Sequence, residues 1–123
     1  MGHHKSIVRR NERRRNRSKK TSFAHPSRNR LVIHRSLKHF EAQVIDDFKG
    51  HTIFSASSKR KDFKLALKNI KSKTELSQKV GEVLAAKAKK MKIKSVVLDR
   101  NGYPYHGRVK AFVESVRKNG LSL

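Results

Sequence analysis

Asp99-Arg100-Asn101-Gly102-Tyr103-Pro104-Tyr105-His106-Gly107-Arg108-Val109 joins two patterns of different period, and that junction decides the fold. Before it, Val96-Val97-Leu98 is an unbroken apolar run, expected of a strand covered on both faces or placed centrally in a sheet. After it, Val109, Phe112, Val113 and Val116 recur at helical spacing, with Gly120 placed to end the helix and Leu121 to make the apolar contact beyond it. The junction reads as a shaped loop, because Gly102 and Gly107 accept backbone angles closed to other residues and Pro104 fixes its own φ. It also gathers chemistry. Tyr103 and Tyr105 can stack on bases, His106 can donate or accept, and Arg100 and Arg108 can fork onto phosphate. The start of the following helix adds free amides and a positive dipole end beside Arg108. The same residues would equally suit an ordinary strand-to-helix loop whose rings pack on the domain, and spacing does not separate the two readings.

Upstream the period is two. Leu31, Ile33 and Arg35 point one way and Val32, His34 and Ser36 the other, which predicts a first strand. From His39 to Asp46, Phe40, Ala42 and Val44 share the core face, opposite His39, Glu41 and Gln43. Asp46-Asp47-Phe48-Lys49-Gly50 then supplies a turn, and Thr52, Phe54 and Ala56 give the core face of a third strand. Three short strands with tight connections are expected to pair as an antiparallel meander. Its second face would present His39, Gln43, Ser55 and Ser57, groups small or polar enough for a ribose or phosphate to approach, although a merely solvated face is the default. After a basic connector opened by Ser58-Lys59-Arg60-Lys61, Phe63, Ala66, Leu67 and Ile70 suggest a short helix or an ordered loop. Ser72 and Glu75 fit a capping box, followed by an apolar stripe through Leu76, Val80, Val83, Leu84, Ala88 and Met91, which predicts a helix over 73–91. Lys79, Lys87, Lys89, Lys90 and Lys92 occupy its other face, and Gly81 within it implies close approach to a neighbouring backbone. The fold class is therefore α+β, with a small mixed sheet of about four strands, two amphipathic helices on one face and a basic N-terminal tail.

Charge bounds the partner. Thirty-two Lys and Arg against nine Asp and Glu give a net +23 over 123 residues, an excess that calls for a polyanion such as nucleic acid. Cysteine is absent, which excludes disulfides, zinc ribbons and thiol catalysis, and no apolar run has the length of a membrane span. Neither a P-loop nor metal-ligand spacing is present, so no cofactor, metal or small-molecule substrate is expected. His39, His106 and Lys110 could serve acid-base cleavage of RNA, but no spacing brings them together, and an enzyme is not expected.

Residues 1–29 form a tail that cannot bury enough apolar surface to offset its ordering entropy and is expected to be disordered when free; residues 30–123 are the globular domain. If the tail turns helical on an RNA, Arg9, Arg10, Arg13, Arg14, Arg15 and Arg17 line most of its surface with guanidinium groups. Met1-Gly2-His3-His4-Lys5-Ser6 fits the loose myristoylation pattern, which leaves a basic lipid-anchored membrane-surface protein as an alternative.

The wording Asp-Arg-x-Gly-Tyr-x-Tyr-His-Gly-Arg-Val over residues 99–109 resembles the signature of one family, bacterial-type large-subunit ribosomal protein eighteen. The likeness extends through Leu31 to Ser36, His39 to Asp47, Ser55 to Ser58, and Val80-Gly81 with the helix after it, in the same order and spacing. The resemblance implies a cytoplasmic, ribosome-bound structural protein with two helices packed on a four-stranded sheet. It further implies binding to 5S rRNA, attachment of that RNA to 23S rRNA, and neighbouring proteins of the central protuberance as partners. By the same likeness the RNA contacts fall on Arg35, Ser36, Lys38, His39, Gln43, Ser57, Ser58, Arg100, Gly102, Tyr105, His106, Gly107 and Arg108, with Tyr103 added as a stacking ring. Leu37, where the family commonly has a polar residue, and Pro104 between the tyrosines depart from the pattern. A general polyanion binder is the second alternative.

Overall fold

A computed structural model describes residues 2–18, 28–60 and 72–123 of the chain. The elements run α1 (Gly2–Ser18), β1 (Asn29–Arg35), β2 (Phe40–Asp46), β3 (His51–Ser57), α2 (Lys73–Lys90), β4 (Val96–Asp99) and α3 (Arg108–Lys118). The segment around Phe63 to Ile70, expected as a short helix or ordered loop, lies outside the described residues, as do residues 19–27 of the tail.

The alternating segments pair as their period requires. β1 with β2 and β2 with β3 are antiparallel, and β4 adds to β1 in parallel, giving the order β3-β2-β1-β4. The sheet is therefore mixed, and the domain is α+β. β4 sits at the edge rather than the centre, yet its apolar run is covered, with Val96 and Val97 both buried. C-terminal residues close part of that edge, where Val96 N donates to Ser122 O at 2.9 Å. Because β4 runs parallel to β1, their C-terminal ends lie together, next to the start of β2 and the end of β3.

One expectation on β3 is corrected. Thr52 is exposed and does not belong to the core face; Ile53 packs against the core instead. The register shifts between Val44 and Ile45, so that Val44 pairs with Phe54 and Ile45 with Thr52. That bulge inserts one residue and inverts the side-chain alternation at the start of the strand.

Leu31, Ile33, Phe40, Ala42, Val44 and Ala56 from the sheet meet Val80, Leu84 and Ala88 of α2 and Val109, Phe112, Val113 and Val116 of α3. Each fully buried large apolar side chain here is worth about 1.5–3 kcal/mol over exposure. Phe40 and Phe112 tie sheet to helix, their ring centroids 5.0 Å apart and tilted by 41°. Ser72 caps α2 by accepting from Glu75 N at 3.2 Å. A Cβ on Gly81 would lie 3.0 Å from both Phe112 O and Ser115 Cβ, so α2 and α3 touch at their backbones as its place in the stripe implies. Ser115 Oγ seals that contact, donating to Gln78 O at 2.7 Å. α3 closes as expected: Gly120 takes φ +100°, Gly120 N donates to Arg117 O, Leu121 N donates to Val116 O, and Leu121 is buried.

The tail differs in kind. Gly2–Ser18 is helical, yet its side chains from Lys5 to Arg17 are exposed and none joins the core. Its arginines are therefore carried on a single short rod outside the core.

Candidate nucleic-acid interface

Two connections meet at the end of the sheet where β1 and β4 finish. The turn from β1 to β2 is closed by Ser36 N donating to His39 O at 2.9 Å and by His39 N donating to Ser36 Oγ at 3.1 Å. The loop from β4 to α3 reaches that turn twice. Arg108 Nη1 donates to Ser36 O at 2.8 Å, and the Tyr103 hydroxyl lies 3.4 Å from both Arg35 N and Arg35 O. The Arg35 guanidinium covers the Tyr103 ring at 4.9 Å from its centroid, a cation–π contact. Residues 72 positions apart thus share one cationic surface.

The electrostatics of that surface favour an anion. Burial and the neighbouring Arg35 charge pull the Arg108 guanidinium below the ordinary arginine value, opposed by Tyr103. Arg108 stays charged at any physiological pH, so a negative charge brought to this junction is attracted by both guanidinium groups.

The loop's shape comes in part from Gly102 and Gly107, which take φ of +83° and +59° as their type allows, and in part from Asp99 and Arg30, whose supporting roles sequence reasoning did not assign. Asp99 is only 2% exposed. Its carboxylate accepts from Asn101 N at 2.9 Å and from Arg30 Nη1 at 2.7 Å, while Arg30 also donates to both carboxylate oxygens of Asp47 at 3.1 Å. Burial lowers the Arg30 pKa, but the bonds from Asp99 and Asp47 outweigh it and hold the group above its ordinary value. With Asn101 N so held, Asn101 and Gly102 take φ of +53° and +83° and turn the chain. The one sequence signal was an acid placed directly after an apolar strand.

Gly102 also seats the tail, since a Cβ there would lie 3.2 Å from Arg15 N on α1. Between them runs a groove of about 390 Å³ lined by Arg14, Arg17, Arg100, Gly102, Tyr103 and Pro104. Arg9, Arg10, Arg13 and Arg15 are exposed along the same helix.

The expected contact residues of the domain fall into three groups. Lys38, Gln43, Arg100, Tyr105, His106 and Gly107 are exposed, and Arg35, Ser36, His39, Ser57, Gly102 and Arg108 are half-buried at or beside the junction or on the open sheet face. Tyr103 and Ser58 are committed to the protein's own contacts: Tyr103 packs against the core under Arg35, and Ser58 is 2% exposed. Tyr105, 38% exposed, is the ring that remains free to stack. Ser57 Oγ donates to Glu41 at 3.3 Å and accepts from Lys59 N at 3.2 Å. Leu37, at 81% exposed, and Pro104 both lie on the surface, so these departures leave the core untouched. Among the described residues no cluster of His, Asp or Glu could hold a metal ion, and no described helix is long and apolar enough to cross a membrane.

Fold and surface together define a small, strongly cationic α+β protein built to meet a polyanion. Comparison with known proteins gives the family. The model of Ribosomal L18 of archaea, bacteria, mitochondria and chloroplasts matches residues 5–123, and the chain belongs to that family. It is 46% identical over 123 residues to the large ribosomal subunit protein uL18 of Caldicellulosiruptor saccharolyticus, covering 98% of each chain. To the protein of that name from Thermus thermophilus it is 51% identical over 113 residues, covering 92% of this chain and 91% of the relative. The chain is thus a structural ribosomal protein rather than an enzyme.

Proposed function

We propose that this chain is a constituent of the large ribosomal subunit that binds 5S rRNA and attaches it to 23S rRNA in the central protuberance, among neighbouring proteins of that region. The observation that carries the reading is the junction where Arg108 holds the Ser36 carbonyl and Arg35 lies over Tyr103, bringing two guanidinium groups to one junction. Forked donors pair with phosphate, and exposed Tyr105 and His106 beside them offer a stacking ring and a base-edge partner. The rod of arginines in α1, lying against the same loop, extends the cationic track beyond the domain. Phosphate contacts of this kind supply affinity and register, and the rings and His supply discrimination.

Competition binding tests it. Labelled 5S rRNA is held on the full-length protein at about 0.15 M salt, where non-specific attachment is already weakened, and challenged with excess tRNA. The 5S complex is expected to survive a large excess of tRNA. Equal competition by the two RNAs would instead make the chain a general polyanion binder.

A further inference from the structure

Ser58 is buried, and the contacts of its hydroxyl settle how His39 is presented. Phe40 N donates to Ser58 Oγ at 3.0 Å, which uses one lone pair, and His39 Nδ1 lies 3.0 Å from the same oxygen. If Nδ1 carried the proton, Ser58 Oγ would accept twice and its own hydrogen would lie buried without an acceptor. The arrangement closes only when Ser58 O–H donates to an unprotonated Nδ1. The imidazole hydrogen is then on Nε2. Among the described residues no group bonds Nε2 and no buried side-chain nitrogen lacks a partner, so Nε2–H faces solvent.

We propose that Ser58 is a positioning residue that fixes His39 as the Nε2–H tautomer, so that His39 offers RNA a hydrogen-bond donor and selects an acceptor atom there, a phosphate oxygen or a base acceptor. The inference rests on the RNA-binding reading above for its ligand, but not for the tautomer. It reassigns Ser58 from a contact to a support, because a hydroxyl this buried cannot itself reach a ligand. The opposite tautomer would present a lone pair and would take a 2′-hydroxyl or a base amino group instead.

Two measurements on the full chain decide it. Long-range proton–nitrogen NMR on histidine-labelled free protein at about pH 8, where imidazole is neutral, should show His39 with a bare Nδ1 and a protonated Nε2, and Ser58→Ala should return it to a mixed tautomer pattern. A protonated Nδ1 in the parent protein overturns the proposal. The second measurement leaves Ser58 in place. Gln can set an amide N–H near the Nε2 position and Asn cannot, so His39→Gln should bind 5S rRNA within about twofold of the parent while His39→Asn binds about tenfold more weakly. Equal affinity for parent, His39→Gln and His39→Asn overturns the role of the donor. An His39→Asn loss seen equally against tRNA marks a phosphate acceptor, and a loss confined to 5S rRNA marks a base. If the parent does not prefer 5S rRNA to tRNA, the functional reading fails, while the NMR result still decides whether Ser58 sets the tautomer.

Discussion

Arg108 closes the junction through the Ser36 carbonyl, alongside the Tyr103 contact, and carries a charge that the nearby Arg35 opposes. Replacing Arg108 with Ala is expected to weaken 5S rRNA binding by about 1–3 kcal/mol, read by filter binding, as removal of a charge-assisted hydrogen bond should. Unchanged affinity would remove Arg108 from the interface. The two tyrosines should separate cleanly: Tyr103→Ala lowers thermal stability because its ring packs on the core and its hydroxyl bonds Arg35, whereas Tyr105→Ala weakens RNA binding and leaves the melting temperature in place. A melting temperature lowered by Tyr105→Ala with RNA affinity intact would make that ring structural. At this scale sequence revealed the chemistry but not its direction. Arg108 could be singled out by type and position, and Arg35 only through the family resemblance, yet the burial of Ser58 depends on Phe40 approaching across two strands, and the packing of Tyr103 on the turn 68 residues away. No local pattern encodes such meetings.

The elements were the most readable part, because periodicity is local. α2, with its Ser72 cap, and α3, with its Gly120 ending, follow directly from spacing and end chemistry. β3 was half legible: Phe54 and Ala56 face the core, but the bulge that exposes Thr52 has no signature in this strand and arises from its pairing with β2. Gly81 was the residue whose consequence was plainest. In an isolated helix Gly81→Ala would add about 1 kcal/mol of helix propensity. In this protein the new methyl meets the Phe112 carbonyl and Ser115, and overpacking of that sort costs about 1–3 kcal/mol. Denaturant unfolding is expected to show a net loss of stability, since backbone cannot yield as a side-chain tip can. A gain would mean that α2 and α3 slide apart at no cost.

For the whole molecule, the net charge of +23 is the dominant quantity, and it is divided between the domain and the tail. The composition made the class of partner legible, but not the seating of α1 against Gly102, which brings the tail's arginines to the same loop as Arg100. Deleting residues 1–27, just short of β1, should leave the domain folded and flatten the dependence of log affinity on log salt by about 0.7–0.9 for each phosphate that the tail neutralises. The same slope after deletion would mean that the tail does not lie on RNA.

Amide hydrogen exchange of the full-length protein, with and without 5S rRNA, tests the central claim most directly. Protection is expected in the turn from Ser36 to His39 and the loop from Arg100 to Arg108 together, with the outer face of α2 and α3, which carries the exposed residues Glu82, Glu114 and Lys118, left unchanged. Protection confined to α1, or spread over that outer face while the junction exchanges freely, would contradict it.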